Sequence, residues 1–69
     1  MLPLTAASFD LAAQRAARAG DGHRAAEARL GAARQASGEM QRRRYCALRN
    51  EGALAELHRQ EAVRQCSAP

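Results

Sequence analysis

Apolar residues recur every three or four positions through the first third of the chain, which is the spacing of one face of an α-helix. The pattern predicts a first helix, with Pro3 favouring its start and Thr5 or Ser8 capping its first free backbone N–H groups. Asp10 then falls on the polar side of this helix. The residues of the apolar face are Phe9, Ala12, Ala13, Ala16 and Ala17.

The segment Gly20-Asp21-Gly22 interrupts this pattern and predicts a turn. Gly20 suits the position just after a helix, and Asp21 can cap the helix that follows. We expect a second helix from Gly22 to Ala36, in a tight antiparallel hairpin with the first, because alanine faces let backbones approach closely. The alternative is one long helix with a flaw at the glycines, which each cost about 1 kcal/mol inside a helix. The expected inner face of the second helix is Ala25, Ala28, Ala32, Ala33 and Ala36.

A third and longer helix is predicted to begin near Glu39, after Ser37-Gly38. If unbroken, it spans about 40 Å, against roughly 22 Å for each arm of the hairpin. A break at Asn50 to Gly52 is the alternative, because Gly52 weakens a helix. On the unbroken helix, one face is formed by Met40, Ala47, Leu48, Leu54, Ala55 and Ala62.

The composition predicts an all-α fold in one domain of 69 residues, a small helical hairpin plus a longer C-terminal helix. Eighteen residues are alanine, so few large side chains can form a core. The hairpin would leave Leu54, Leu57 and Val63 underpacked in a lone chain, and we therefore expect a homodimer. Residues 1–5 and 67–69 are expected to fray.

The two cysteines, Cys46 and Cys66, are too few for a disulfide-rich secreted scaffold and lie about 30 Å apart on an unbroken helix. We expect both thiols to be reduced. The segment Met1–Leu4 is too short for the apolar region of a signal peptide, and no run approaches the ~20 apolar residues of a membrane-spanning helix. These observations predict a cytoplasmic protein with no membrane contact. No catalytic motif or metal-ligand spacing occurs, so we expect no enzyme activity, no catalytic residue, no metal and no cofactor.

A second pattern in the first half of the chain is the order and spacing of one aromatic residue, several alanines and a Gly-Asp pair. These residues are Phe9, Ala13, Gly20, Asp21, Ala25 and Ala32. This arrangement resembles a single tetratricopeptide repeat, and the resemblance implies a protein-binding helix pair over about half of the chain. The chain departs from the family at Ala16, where a large aromatic residue is expected, and at Arg29, another bulky position. Because stable arrays need roughly three copies, an ordinary alanine-rich hairpin is the preferred interpretation.

The formal net charge is +4, and the chain has eleven arginines and no lysine. Arginine side chains bind carboxylates at protein interfaces as well as phosphate groups. Three consecutive arginines point in three directions on a helix, so they cannot form one stripe. The densest basic cluster and the only tyrosine are predicted to bind a partner, through Arg42, Arg43, Arg44, Tyr45 and Arg49. The residues predicted to support self-association are Met40, Ala47, Leu48, Leu54, Leu57 and His58.

These patterns favour a small adaptor or inhibitor that binds and modulates another protein through helix–helix contacts. The composition, rich in arginine and alanine, is typical of GC-rich bacterial genomes, and one setting is a phage or mobile-element protein that antagonises a host regulator or ATPase. A helical co-chaperone of a bacterial secretion subunit is one alternative. A small basic nucleic-acid-binding protein is the other, disfavoured because neither hairpin helix offers a polar recognition face.

Overall fold

Four α-helices joined by short connections make up the part of the chain that the structure describes. A computed structural model describes residues 4–68, and no strand occurs within that range. The helices are α1 (Ala6–Arg18), α2 (Gly22–Gln35), α3 (Gly38–Leu48) and α4 (Glu56–Ser67). The predicted all-α fold class is confirmed. Residues 1–3 and 69 lie outside the described residues, and with them the predicted role of Pro3 and part of the predicted fraying.

The first two helices begin where local capping chemistry predicts. The Thr5 hydroxyl accepts a hydrogen bond from the backbone N–H of Ser8 at 3.2 Å. The Asp21 carboxylate accepts one from the N–H of Arg24 at 3.0 Å. Gly20 adopts a φ of +76°, the left-handed conformation that lets the chain leave α1 and enter α2 within a short turn. The predicted turn between two separate helices is therefore confirmed.

A missing side chain in α2 allows the first two helices to pack closely. The inner side of α1 is marked by Ala13 and Ala16, which are both buried. The Phe9 ring lies over Gly31, in the space that a Cβ atom at residue 31 would occupy. Because a residue near the start of α1 meets one near the end of α2, the two helices run antiparallel.

The chain turns back between Leu48 and Glu56, so the predicted long C-terminal helix is wrong. The backbone N–H of Glu51 donates to the carbonyl oxygen of Leu48 at 3.1 Å, and the Glu51 carboxylate accepts from the N–H of Ala53 at 3.1 Å. Gly52, the residue that suggested a break, lies inside this turn. As a result α4 packs back against α3, and the fold has four helices.

The turn changes which residues of α3 face inward. Tyr45 and Leu48 are buried, whereas Met40 and Ala47, predicted on the apolar face, are exposed. That prediction assumed a single straight helix and therefore one continuous stripe. The buried core combines residues of α2, α3, α4 and the turn, namely Ala26, Leu30, Ala33, Tyr45, Leu48, Leu54 and Ala62.

Cys46 and Cys66 form a disulfide, so the prediction of reduced thiols is wrong. A straight helix would separate the two residues by about 30 Å, but the return of α4 brings their Cα atoms to 4.7 Å. The bond joins the last turns of α3 and α4 and closes a loop between residues 20 positions apart. The expectation of a cytoplasmic location loses support, because it assumes reduced thiols and disulfides persist mainly in oxidising compartments.

Removing the disulfide should destabilise the fold strongly. Reduction, or Cys46→Ala with Cys66→Ala, should lower the free energy of unfolding by about 3 kcal/mol, because a loop of this size is no longer closed in the unfolded chain. Urea denaturation followed by circular dichroism measures the change. The double variant is the control, since a reductant must leave its midpoint unchanged. Equal midpoints for the oxidised and reduced native chain would contradict the prediction.

Gly31→Ala should destabilise the packing of α1 on α2, whereas Gly22→Ala should not. The new methyl group overlaps the Phe9 ring at residue 31, but at residue 22 it meets only the Cβ atom of Ala53 at 3.9 Å. Inside a helix alanine gains about 1 kcal/mol of helix propensity over glycine, and at residue 22, the first residue of α2, it gains less. We still expect Gly31→Ala to be the less stable variant, because the overlap with the Phe9 ring costs about 1–3 kcal/mol. Thermal unfolding compares the two variants, and equal stability would show that Phe9 moves aside freely.

Candidate interaction surfaces

Arg44, the third arginine of the run 42–44, ties α3 to α1. Its two terminal nitrogens, Nη1 and Nη2, donate to the two carboxylate oxygens of Asp10 at 2.8 and 3.0 Å. These hydrogen bonds raise the pKa of Arg44 above its ordinary value. Asp10 is half-buried and faces α3, so its predicted place on the solvent side of α1 is wrong. The spacing of apolar residues along one helix does not predict an ion pair with a residue on another helix, such as Asp10 with Arg44.

The other arginines predicted to bind a partner point in two directions, since Arg42 and Arg49 both approach Cys66 and Arg43 does not. Arg43 lies on the outer side of α3, with its Nε 3.7 Å from a carboxylate oxygen of Glu39. Arg42 turns toward the end of α4 and donates from Nε to the carbonyl oxygen of Cys66 at 3.4 Å. Nη1 of Arg49 lies 3.8 Å from Sγ of the same cysteine. The run 42–44 is therefore divided over three directions, as helix geometry predicts, and forms no single basic patch.

Tyr45 belongs to a hydrogen-bond network that is centred on the Glu61 carboxylate and joins three helices. Its side chain is buried, and its hydroxyl donates to Oε2 of Glu61 at 3.2 Å. Arg34 donates from Nε to Oε2 of Glu61 at 2.9 Å and from Nη2 to Oε1 at 2.6 Å. The hydrogen bonds from Arg34 lower the pKa of Glu61, and burial raises the pKa of Tyr45. Tyr45 thus acts as a core residue of this chain, with its polar tip satisfied internally.

The two histidines also connect elements of the fold. Nδ1 of His58 in α4 lies 2.9 Å from Oε1 of Glu27 in α2. Nδ1 of His23 lies 2.9 Å from the carbonyl oxygen of Ala53, to which the ring N–H can donate. His58 is among the residues predicted to support self-association, and this contact within the chain already occupies one of its ring nitrogens.

The remaining residues predicted to support self-association divide between core and surface. Leu48 and Leu54 are buried in the core cluster of the chain itself. Met40 is 56% exposed and Leu57 is 76% exposed, and Ala47 is exposed as well. The exposed apolar residues of this predicted set therefore lie on the outer sides of α3 and α4.

The outward side of α4 combines apolar and polar side chains. Its inner side is marked by Ala62 and Cys66, which are both buried. At 100° per residue, Leu57 lies opposite these two residues, and Val63, which is 46% exposed, lies at the border of the outward side. We call the outward residues Leu57, Gln60 and Arg64, together with the border residue Val63, the α4 face.

Every side-chain carboxylate of the chain is engaged by another group of the chain. Glu27 binds His58, and Glu51 accepts the N–H of Ala53. The other five pair with arginines, as Asp10–Arg44, Asp21–Arg24, Glu39–Arg43, Glu56–Arg59 and Glu61–Arg34. Within residues 4–68, the arginines left without a carboxylate partner are Arg15, Arg18, Arg29, Arg42, Arg49 and Arg64.

Sequence reasoning assigned no role to the outer side of α1. Leu11 is 47% exposed there, and Arg15 and Arg18 are exposed as well. Their i, i+4, i+7 spacing places the three side chains on one stripe, and this signal is present in the sequence. A search for dense charge runs finds residues 42–44 but misses a stripe whose members are separated by a helical turn.

Neither a metal nor a membrane span is indicated in the part of the chain that the structure describes. Those residues contain no group of three or more His, Cys, Asp or Glu side chains that could hold a metal ion. None of the four helices has the length and apolar character needed to cross a bilayer. Comparison of the chain with family models, curated proteins and solved structures found no match. The resemblance of α1 and α2 to a tetratricopeptide repeat therefore rests on their residues alone.

Acid should destabilise the fold through Glu61. Because Arg34 lowers the pKa of Glu61 in the folded chain, the charged carboxylate contributes stability that is fully present above the ordinary pKa of glutamate. That stability is lost as the pH falls through the lowered value. Glu61→Gln should remove this part of the acid sensitivity and cost on the order of 1–2 kcal/mol at neutral pH. Urea midpoints measured between about pH 3 and pH 7 test both effects.

Glu56→Gln is the matched control, because the Glu56 side chain is 61% exposed and pairs with Arg59 on its own helix. Exposed pairs of this kind contribute little to stability, so the control should keep the pH dependence of the native chain. If Glu61→Gln also kept it, the network around Tyr45 would not be a source of acid sensitivity.

Proposed function

We propose that the chain is a non-enzymatic protein-binding module, an adaptor or inhibitor that modulates its partner through helix–helix contacts. The observation that carries the proposal is the α4 face. Leu57 is 76% exposed and Val63 is 46% exposed on a helix whose inner side is packed. Large apolar side chains on the outside of a small alanine-rich fold are typical of a surface that another polypeptide covers.

The other residues of the α4 face suit a helix–helix interface. Leu57 and Val63 lie about 9 Å apart along the helix axis and about 120° apart around it, so a partner helix that contacts both must lie over the surface between them. Gln60 lies between them, and Arg64 has no carboxylate partner within residues 4–68. An arginine at the rim can bind a carboxylate or carbonyl of the partner, while the apolar residues supply the buried centre.

A second copy of the chain is one partner that fits this surface. In a twofold arrangement, two antiparallel α4 helices would bring Leu57 of one copy near Val63 of the other, which gives a self-complementary contact. The homodimer expected from the sequence would then use Leu57, with Met40 as a further exposed contact on α3. It would not use Leu48 and Leu54, because the core of each chain occupies them.

Two biological settings fit a module of this size and composition. One is a phage or mobile-element protein that antagonises a host regulator or ATPase, and the other is a co-chaperone of a bacterial secretion subunit. Both require a short chain to present one helix to the surface of a larger protein. The Cys46–Cys66 disulfide adds a condition, because the setting must allow the bond to form and persist.

Nucleic-acid binding is a second candidate, favoured by the six arginines without carboxylate partners in the described residues. These arginines are distributed over all four helices and the turn after α3, so they do not form one continuous basic stripe. Protein binding is preferred for that reason. A salt-dependent shift of duplex DNA by the oxidised chain would favour the second candidate.

Leu57→Ser with Val63→Ser should weaken partner binding or self-association at least tenfold, because two apolar contacts at the centre of the interface are lost. Light scattering over a concentration series measures self-association. Quantitative mass spectrometry of captured proteins measures the partners that are lost relative to the native chain. The circular dichroism spectrum should not change, since both side chains already face water.

The matched control is Leu4→Ser with Leu11→Ser, which also removes two exposed leucines, at 68% and 47% exposure, but from the α1 end of the molecule. The control should keep the oligomeric state and the partners that depend on α4. If all three proteins showed the same molar mass and the same partners, the α4 face would not be the binding surface.

A further inference from the structure

The outer side of α1 carries a second surface that α4 does not share. Leu11, Arg15 and Arg18 lie on one stripe of α1, spanning about 10 Å along the helix axis. The buried residues Ala13 and Ala16 mark the opposite side, which packs against α2. Because α1 packs chiefly on α2, nothing in the described chain covers this stripe. We call these three residues the α1 stripe.

The charge of the α1 stripe is not compensated within the chain. Arg15 and Arg18 have no carboxylate within ion-pair distance among the described residues. The only acidic residue of α1 is Asp10, which lies to one side of the stripe and is held by Arg44 of α3. Exposed arginines elsewhere behave differently, since Arg43, for example, pairs with a carboxylate four residues away.

A favourable interaction with the helix dipole accounts for part of this arrangement. Arg15 and Arg18 lie in the last turn of α1, where positive charge stabilises a helix. The dipole does not account for Leu11, which is 47% exposed one turn before Arg15 on the same stripe. An apolar side chain adjoining two uncompensated guanidinium groups is the composition of a recognition surface.

We propose that the α1 stripe binds an acidic amphipathic helix of a partner protein. Two carboxylates three or four residues apart on one helix lie about 5–6 Å from each other, which matches the separation of Arg15 and Arg18 along α1. A leucine-sized residue of the partner, one turn further on, covers Leu11. Each guanidinium then binds a carboxylate in a bidentate geometry.

Charge and shape favour this occupant over other anionic surfaces. A membrane surface requires a broad apolar face, and the stripe offers Leu11 as its one large apolar residue. A nucleic-acid backbone offers nothing apolar for Leu11 to contact. The inference goes beyond the proposed function, because it uses none of the residues of the α4 face. A chain with both surfaces can contact two partners at once.

The test uses the oxidised full chain and a labelled synthetic peptide of about 15 residues, long enough to form a helix on binding. The peptide repeats a leucine followed by two glutamates at i+4 and i+7, and the control peptide carries glutamine in place of glutamate. Fluorescence anisotropy should show saturable binding of the acidic peptide that weakens with salt, and at least tenfold weaker binding of the control peptide.

Variants of equal net charge locate the site. Arg15→Gln with Arg18→Gln should weaken binding of the acidic peptide at least tenfold. Arg43→Gln with Arg59→Gln should leave it within about twofold, because those arginines lie on α3 and α4 and already pair with Glu39 and Glu56. Circular dichroism checks that both variants keep their helices. Leu11→Ser should also weaken binding, which separates recognition of the stripe from simple attraction of charges.

Several outcomes would overturn the inference. They are equal weakening by the two arginine pairs, equal binding of the glutamine peptide, and no binding at about 1 mM peptide in low salt. Binding of phosphatidylserine vesicles or duplex DNA that depends on Arg15 and Arg18, without binding of the peptide, would assign the stripe to another partner. The variant Leu57→Ser with Val63→Ser should bind the peptide normally, so failure of the α4 face and failure of the α1 stripe are separable.

Discussion

The return of α4 along α3 decides which side chains this chain buries and which it leaves outside. The turn brings Glu61 beneath Tyr45 and within reach of Arg34, so that one carboxylate joins three helices. It also brings Cys46 to Cys66 and closes the disulfide. On a continuous helix neither contact could form, because the partners would lie on segments about 25–30 Å apart. The turn, the network and the covalent bond therefore support one another.

Local chemistry predicts the first half of this fold well. The caps at Thr5 and Asp21 each bind a backbone N–H three residues away, and Gly20 supplies its own unusual backbone angle. The whole interaction is therefore contained in a short stretch of sequence. The turn after Leu48 is different, because Gly52 is a weak signal within a strongly helix-forming segment. This turn is stabilised by distant contacts, namely the burial of Leu54 in the core and the Cys46–Cys66 disulfide. A local sequence pattern does not show either contact.

The candidate surfaces show the same division between local and distant information. Tyr45 and Arg44 have the composition of interface anchors, but the same residue types also satisfy buried networks. The choice depends on Glu61 and Asp10, which lie on other helices. Exposure of Leu57 follows from its position opposite the packed side of α4, and a helical wheel could have placed it once the start of α4 was known. Which residues are available for an interface therefore depended more on the turn between α3 and α4 than on the residue types.

A disulfide in place of a larger core changes what the remaining apolar residues can do. The described residues extend over 34 × 27 × 15 Å, so the molecule is flat. In this flat molecule α1, α3 and α4 each leave one side in water, whereas α2 packs against both α1 and α3. Much of its interior is alanine, and Leu30 is the one large side chain among the described residues that is fully buried. The disulfide holds α3 to α4 and contributes about 3 kcal/mol to the free energy of unfolding. The fold therefore does not depend on burying Leu57, Val63 and Leu11 in the core. They remain outside, where contact with another chain is the way in which their burial can contribute free energy.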